Sequence, residues 1–415
     1  MSRIAEVVVP ARLGRSFRWL LASSWTSNLG DGIALAAGPL LVASLTRDAF
    51  LVALAATVQW LPPLLFSLLA GALTDRLDRR LIVVTVDTAR AAVLAVLTLA
   101  VATDRVSIVV VLAALFVLAT AEVFADNSSQ TLVAVLVARE DLAVANSRLQ
   151  TGFITVNQLL GPPLGAVLFT VGAAWALGAQ AVVIALGAVL VSRVVLPARE
   201  PVAGPRRALR HDIAEGLRWA VAHPAVRTLV LTIAIFNVTF GAAWSVLVLY
   251  ATERLGLGEI GFGLVTTVGA AGGITGGLVY GWITRRVSLG DLMRIGLVIE
   301  TLTHLALALT RSPWVALPVF FVFGAHAFVW GTTSVAVRQR AVPLELQGRV
   351  GSVNQVGVFG GLVVGSGIGG VLAQHGGVTA PFWFAFAGSA VFVVLIWRSL
   401  RHIAHTDEQP VPAAA

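Results

Sequence analysis

Few residues in this chain could do acid–base chemistry, and several of those stand inside apolar runs. Asp31 lies twelve residues into a run of about 25, Glu122 and Asp126 are four apart in another, and Asp87 and Arg90 are three apart in a third. Further along, Glu300 and His304 are four apart, and His326 is followed one turn later by Trp330. An ionisable side chain in hydrocarbon costs roughly 2.5–3.5 kcal/mol on insertion scales, so each needs a partner, a wet cavity or a function. Asp31 reads as a proton-titrating or substrate-pairing carboxylate, with a structural hydrogen bond to a neighbouring helix as the alternative. Glu122 is a second candidate for carrying a proton. Glu300, His304 and His326 are further candidates, since histidine can shuttle protons near neutral pH, and a satisfied contact between helices explains them equally well. Asp87 and Arg90 are placed to neutralise each other on one helical face. Three histidines without cysteine or a local His-x-x-x-His do not suggest a metal site, and no cofactor is expected.

The elements that position these residues follow from composition. The chain has 415 residues, 57% hydrophobic and 12% charged, with a mean hydropathy of +0.88; soluble domains are about a quarter charged. Apolar runs of bilayer length recur about every thirty residues. They lack the alternation of barrel strands. The expected spans are 19–43, 50–73, 81–102, 106–128, 149–171, 174–196, 228–251, 260–283, 291–311, 314–336, 351–373 and 379–398. The fold class is therefore all-α integral membrane, with twelve transmembrane helices in two pseudo-symmetric six-helix bundles. The first span is too long for a signal-peptide h-region and is expected to stay.

The formal charge of +8 raises the question of nucleic acid, and the distribution of basic residues answers it. All 29 are arginine. Arg47, Arg105, Arg254 and Arg311 fall in or at the edge of odd-numbered loops and Arg90 well inside a span; the rest lie in the termini and even-numbered loops or, as Arg193, Arg294 and Arg398, at the span ends that adjoin them. That asymmetry follows the positive-inside rule, so both termini are expected in the cytoplasm and no nucleic-acid partner is expected. The usage of arginine with abundant alanine and valine fits a high-GC bacterium, and the expected location is the inner (cytoplasmic) membrane, multi-pass.

Self-similarity at an offset near 209 pairs Asn28, Gly32 and Ala34 with Asn237, Gly241 and Ala243. Near the fifth and eleventh spans an offset of 205 pairs Glu140, Ser147, Gln150, Gly152 and Gly165 with Glu345, Ser352, Gln355, Gly357 and Gly370. The halves are 1–196 and 228–415. The polar stretch 197–227 between them is a cytoplasmic linker in which Leu209, Ile213, Leu217 and Val221 recur at helical spacing, as in an interfacial amphipathic helix; a flexible tether is the alternative. Two such halves place a substrate site where they meet, near the bilayer midplane.

The loop Gly71-Ala-Leu-Thr-Asp75-Arg76-Leu-Asp78-Arg79-Arg80 resembles the signature loop of the major facilitator superfamily, G-x-x-x-D-R-x-G-R-R, with Asp78 in place of the usual glycine. Asn28-Leu-Gly-Asp31-Gly, Glu122-x-x-x-Asp126 and Ala145-Asn146-Ser147 are similar to the drug-exporter branch that contains macrolide efflux proteins and enterobactin exporters. Gly161-Pro162-Pro163-Leu164-Gly165 resembles the antiporter motif of exporters, which argues for direction. The fourth span lacks the arginine that many drug antiporters carry there, so a relay through it is not carried over.

The resemblance implies that Asp75, Arg76, Arg79 and Arg80 form a gate contact at the cytoplasmic ends, the arginines pairing with carboxylates, and that Asp126, near the cytoplasmic end of its span, joins that lock. It also pairs the fifth span with the eighth and the second with the eleventh. The ladders Gly269, Gly273, Gly277, Gly281 and Gly357, Gly361, Gly365, Gly369 would then be sliding surfaces, static packing being the alternative. Trp25, Asn28, Gln59, Trp60, Asn157, Gln158, Asn237, Phe240, Trp244 and Trp330 are polar or aromatic groups deep in spans and are candidates to line a cavity for a bulky amphipathic substrate.

The expected function is a proton-coupled exporter of amphipathic small molecules, whether drugs, macrolides or siderophores, working by alternating access. Its partners are the small amphipathic substrate, protons and the lipid bilayer, with the chain a monomer. Uptake or facilitated diffusion, and a lipid flippase or sensor, are the alternatives. No nucleotide-binding loop is present, and no arrangement of nucleophile, base and oxyanion donors can be assembled, so neither ATP-driven transport nor an enzyme is expected.

Overall fold

With no water in hydrocarbon to satisfy peptide groups, the apolar runs close their backbone hydrogen bonds internally as helices. A computed structural model describes residues 11–74, 77–196 and 209–400. Its helices are α1 (Gly14–Leu45), α2 (Ala49–Thr74), α3 (Arg79–Ala102), α4 (Ile108–Leu136), α5 (Arg139–Val171), α6 (Ala173–Ser192), α7 (Leu209–Ala222), α8 (Pro224–Trp244), α9 (Glu259–Thr284), α10 (Leu289–Leu309), α11 (Pro313–Ala341), α12 (Leu344–Gly376) and α13 (Ala380–Ile396). Among the described residues eleven helices are long and apolar enough to cross a membrane; α13, with 17 residues, is apolar but shorter. Helix starts follow capping chemistry. Asp78 accepts from the Leu81 amide at 3.1 Å at the start of α3, and Ser288 accepts from the Asp291 amide at 3.1 Å at the start of α10.

The chain forms two compact units, residues 1–203 with 251–267, and 204–250 with 268–415. In the first, α1 packs on α5 and α6, α3 on α4 and α6, and α2 on α4. In the second, α8 packs on α12 and α13, and α10 on α11 and α13. There too α9 lies on α11, where a Cβ on Gly276 would meet the backbone of Ala325.

Several boundaries depart from the sequence expectation. Helix α4 runs on to Leu136 through Asn127, Ser128, Ser129 and Gln130, where the apolar run ends but the helix does not. Asp126 is thus ten residues from the helix end, not beside it. Helix α8 stops at Trp244, and after a break at Ser245–Val246 the chain continues as a helical turn, Leu247–Leu249, and a π-wound turn, Tyr250–Arg254. The glycine ladders also face other partners. A Cβ on Gly277 would touch the Phe328 ring at 3.1 Å, and one on Gly361 would lie 2.8 Å from Asn237 Cβ, so these positions of both ladders pack within the second unit. Contact between α9 and α5 falls instead to Gly263, where a Cβ would lie 2.7 Å from Ala166 Cβ within the first unit.

The linker residues 197–208 lie outside the described residues. The helix expected after them is α7, which docks on the start of α12: Glu215 pairs with Arg349 at 2.8 Å, and Ala220 is buried with Val226, Val342 and Val350. Leu217 and Val221 remain exposed.

Candidate functional site

Two clusters of ionisable side chains are buried at mid-helix, one in each unit. In the first, α3 carries Arg90 with its side chain 4% exposed. Its guanidinium donates to Asp87 on the preceding turn at 3.1 Å and to Asp31 on α1. The Asp31–Arg90 pair joins positions 59 apart. Glu122 on α4 lies within electrostatic range of Arg90, Asp31, Asp87 and Asp126. Asp126 feels Asp31, Arg90 and Asp87 as well, which brings it into this cluster. Its side chain is exposed. At mid-helix a charged group cannot face lipid cheaply, so this face of the unit is a wet one. Four carboxylates thus share one guanidinium.

The position of Asp31 depends on how closely α1 and α5 approach. A Cβ on Gly32 would run into the Asn157 carbonyl and lie 2.9 Å from Gly161 Cα, while one on Gly165 would meet the Ile33 backbone. The Gly-Pro-Pro-Leu-Gly run is therefore where α5 meets α1, directly beside Asp31. Just before it, Phe153–Leu160 is wound as a π-helix, the Gly161 amide reaching the Val156 carbonyl. Such segments mark functional positions in helices. Pro163 has no N–H for the Leu159 carbonyl, and that oxygen accepts from Thr267 Oγ1 at 3.4 Å instead.

In the second unit, Glu300 on α10 faces His326 on α11 at 3.5 Å, Oε2 to Nε2. His304, one turn from Glu300, is fully buried. Neither of its ring nitrogens has a hydrogen-bond partner. The Trp244 ring meets it edge-on, with centroids 5.9 Å apart and planes at 85°. Trp244 is the last residue of α8 before the break. It stacks on Phe240 at 4.5 Å and lies 4.6 Å from Phe323, giving a three-ring group beside the histidines.

The other sequence candidates divide. Trp25 donates to the Arg148 carbonyl at 3.2 Å, and buried Asn157 donates to the Asn28 carbonyl at 3.3 Å; these bonds hold α1 to α5. Asn28 and Asn237, which the internal repeat aligns, make the same bond, each amide donating to the carbonyl four residues back, Ser24 and Ile233, at 2.7 Å. Gln59 and Gln158 are partly exposed and Trp60 is 37% exposed. Trp330 has an unpartnered indole nitrogen.

In the signature loop, Asp75 and Arg76 lie outside the described residues. Arg80 donates to the Val194 carbonyl at 3.0 Å, so its partner is a helix-end oxygen and not the carboxylate expected of it. Gly71 and Arg79 are partly exposed. Asp78, which departs from the superfamily pattern, is the α3 cap; the preference of aspartate for that position could have indicated this from the sequence. The Asp31–Arg90 pair had no such signal. Among the described residues no group of three or more His, Asp or Glu could hold a metal ion.

The family model described as transmembrane secretion effector matches residues 9–413. The multidrug efflux pump Tap of Mycolicibacterium fortuitum is 29% identical over 391 residues, covering 88% of this chain and 90% of that protein. Macrolide efflux protein A of Streptococcus pyogenes is 23% identical over 367 residues, covering 85% and 87%. Among solved structures, a bacterial homologue of the iron transporter ferroportin in an inward-facing state superimposes with a TM-score of 0.70 at 18% identity, covering 93% of this chain and 98% of that one. The nucleoside transporter NupG does so with a TM-score of 0.70 at 13% identity, covering 95% and 100%. These likenesses show the fold of a membrane transporter.

Proposed function

The chain belongs to the transmembrane secretion effector family, membrane transporters of the major facilitator type, and from that premise we propose that it is a proton-coupled exporter of amphipathic small molecules working by alternating access. Export is supported by the two efflux relatives and by the Gly161-Pro162-Pro163-Leu164-Gly165 run. In this reading α13 is the twelfth span, and the halves 1–196 and 228–415 are six-helix bundles joined by a cytoplasmic linker. The repeat of the pairing pattern supports it: α1 with α5 and α6 matches α8 with α12 and α13. Gly32 against α5 and Gly241 against the Leu362 backbone of α12 occupy equivalent contacts. The chain works as a monomer in the bacterial inner membrane with both termini in the cytoplasm, which the arginine asymmetry supports.

The observation that carries the coupling is the single guanidinium among Asp31, Asp87, Glu122 and Asp126. Arg90 can neutralise only one carboxylate, and although Asp126 lies on a wet face, leftover charge at the more enclosed Asp31, Asp87 and Glu122 is costly and is offset by protons. Losing a proton from Asp31 or Glu122 strengthens the pull on Arg90 and draws α1, α3 and α4 together; gaining one relaxes it. Because α1 touches the π-wound part of α5 through Gly32 and Gly161, that tightening is transmitted to α5. The stacked Phe240, Trp244 and Phe323 supply an apolar wall suited to a bulky substrate. Gly71, Asp75, Arg76, Arg79 and Arg80 form the gate loop. The test is dye efflux from proteoliposomes under an imposed pH gradient, with ethidium as the probe. Wild-type protein moves ethidium faster with the gradient than without. A variant carrying Asp31→Asn and Glu122→Gln that responds to the gradient as the wild type does would overturn the assignment.

A further inference from the structure

His304 is hard to explain as ordinary core. It is fully buried, and both ring nitrogens lack partners. A neutral imidazole carries one donor and one acceptor, and leaving both unmet costs the full desolvation of each, a cost an apolar residue of similar size would avoid. The Trp244 edge offers neither nitrogen a hydrogen bond. A carboxylate stands on the same helix: Glu300 is one turn away, at the i, i+4 spacing that lets two side chains meet. In this structure Glu300 is turned instead toward His326 on α11. The other elements packed on α10 compete little for it. Helix α13 contains no titratable residue, and the only titratable residue of α8 is Arg227 in its first turn. Tyr250, after the α8 break, donates to the Leu307 carbonyl of α10 at 2.7 Å. Arg338 and Arg340 of α11 stand in its last turn, more than three turns from His326. Asp291 and Arg294, at the far end of α10, pair with each other at 3.4 Å.

We propose that His304 is the alternative partner of Glu300, and that Glu300, His304 and His326 form a second proton-carrying site in the second unit, separate from the Asp31–Arg90 cluster. The inference rests on proton-coupled export being the function. The site begins with the Glu300 carboxylate facing a protonated His326 and a neutral His304. A proton binds an empty nitrogen of His304, which becomes a charged donor. The carboxylate swings one turn along α10 to meet it. His326, now unpaired, gives up its own proton, so one proton enters at His304 and one leaves from His326. Because His304 lies nearer Leu309 and His326 sits level with the turn below it, the exchange moves charge along the α10 axis. Trp244, in edge contact with His304, ends α8 at its break, so a swing at His304 is felt where α8 is interrupted.

The experiment is nitrogen NMR of the full-length chain, labelled at histidine and reconstituted in lipid nanodiscs, with pH as the only variable. Signals are assigned by His304→Gln and His326→Gln. In His326→Gln the competing imidazolium is gone and only a neutral amide faces Glu300 from α11, so both ring nitrogens of His304 are expected to shift to the imidazolium position at a pH where wild-type His304 is neutral. Adding Glu300→Gln is expected to abolish that shift. A His304 that stays neutral in His326→Gln, or shifts equally without the Glu300 carboxylate, overturns the proposal. Should His326→Gln fail to fold, the wild-type titration decides: His304 must gain its proton in step with a change at His326, and a His304 neutral throughout contradicts it. This readout needs no transport, so the Asp31–Glu122 assignment can fail while this one stands, and the reverse.

Discussion

Replacing Arg90 by leucine removes the one cation of the first cluster among the described residues. The guanidinium is 4% exposed and bridges Asp31 on α1 to Asp87 on its own helix. Removing one partner of a buried ion pair costs about 3–5 kcal/mol, because it strands the other charge rather than merely deleting a bond. At about 1.4 kcal/mol per power of ten, that is a loss of roughly two to three and a half powers of ten in the folded-to-unfolded ratio. If stranded charge is the cause, deleting the charge restores stability. Arg90→Leu combined with Asp31→Asn is expected to be more stable than Arg90→Leu alone, with a coupling energy of about 1–3 kcal/mol. The assay is the fraction of detergent-solubilised protein that remains monodisperse after heating, read by fluorescence-detected size exclusion. The control is Arg227→Leu, an exposed arginine whose contact with the Val221 carbonyl is a long 3.5 Å; surface changes of this kind stay within about 0.5 kcal/mol. The reasoning fails if Arg90→Leu is no worse than Arg227→Leu, or if the Asp31→Asn loss simply adds to it.

Three further outcomes follow from local geometry. Gly32→Ala forces α1 and α5 apart, since its Cβ would sit 2.9 Å from Gly161 Cα against ordinary carbon contacts of about 3.5–4.0 Å; about 1–3 kcal/mol of stability should be lost, with reduced ethidium efflux, and unchanged melting would contradict the contact. Asp78→Ala should destabilise α3 by about 1 kcal/mol through loss of its cap to the Leu81 amide, whereas Asp78→Asn should retain most of it; thermal melting of the two variants distinguishes capping from charge. Glu215→Ala breaks a half-exposed pair with Arg349 and should cost less than about 1 kcal/mol, so a large drop in the melting temperature would mean that α7 is held mainly through Glu215.

The spans were legible because hydrocarbon leaves a long apolar run little choice but helix, and the runs are spaced at bilayer length. The errors mark where hydropathy and backbone part. Asn127 to Gln130 end the apolar run within α4, but a helix can carry polar side chains on a wet face, so α4 continues and Asp126 moves inward to the cluster. The α8 break at Ser245–Val246 has no proline or glycine to announce it, although the packing around it is well defined: Tyr250 donates to the Leu307 carbonyl at 2.7 Å. Asp87 with Arg90 could be read from spacing on one helix. Asp31 with Arg90 could not, because it depends on how α1 and α3 come together across 59 positions. The glycine ladders showed that close packing occurs; a repeat on one face does not say which neighbour fills it. The repeat itself was legible where Asn28 and Asn237 form the same bond in both units.

The central claim is that protons held among Asp31, Asp87, Glu122 and Asp126 are exchanged for substrate. The most direct measurement reverses the usual assay. Proteoliposomes containing a trapped pH-sensitive dye are given an ethidium gradient and no pH gradient, and the internal pH is followed. Ethidium moving down its gradient is expected to drive protons the opposite way in the wild type, and Asp31→Asn with Glu122→Gln is expected to abolish this proton movement. Ethidium flux that leaves the wild-type internal pH unchanged would contradict it.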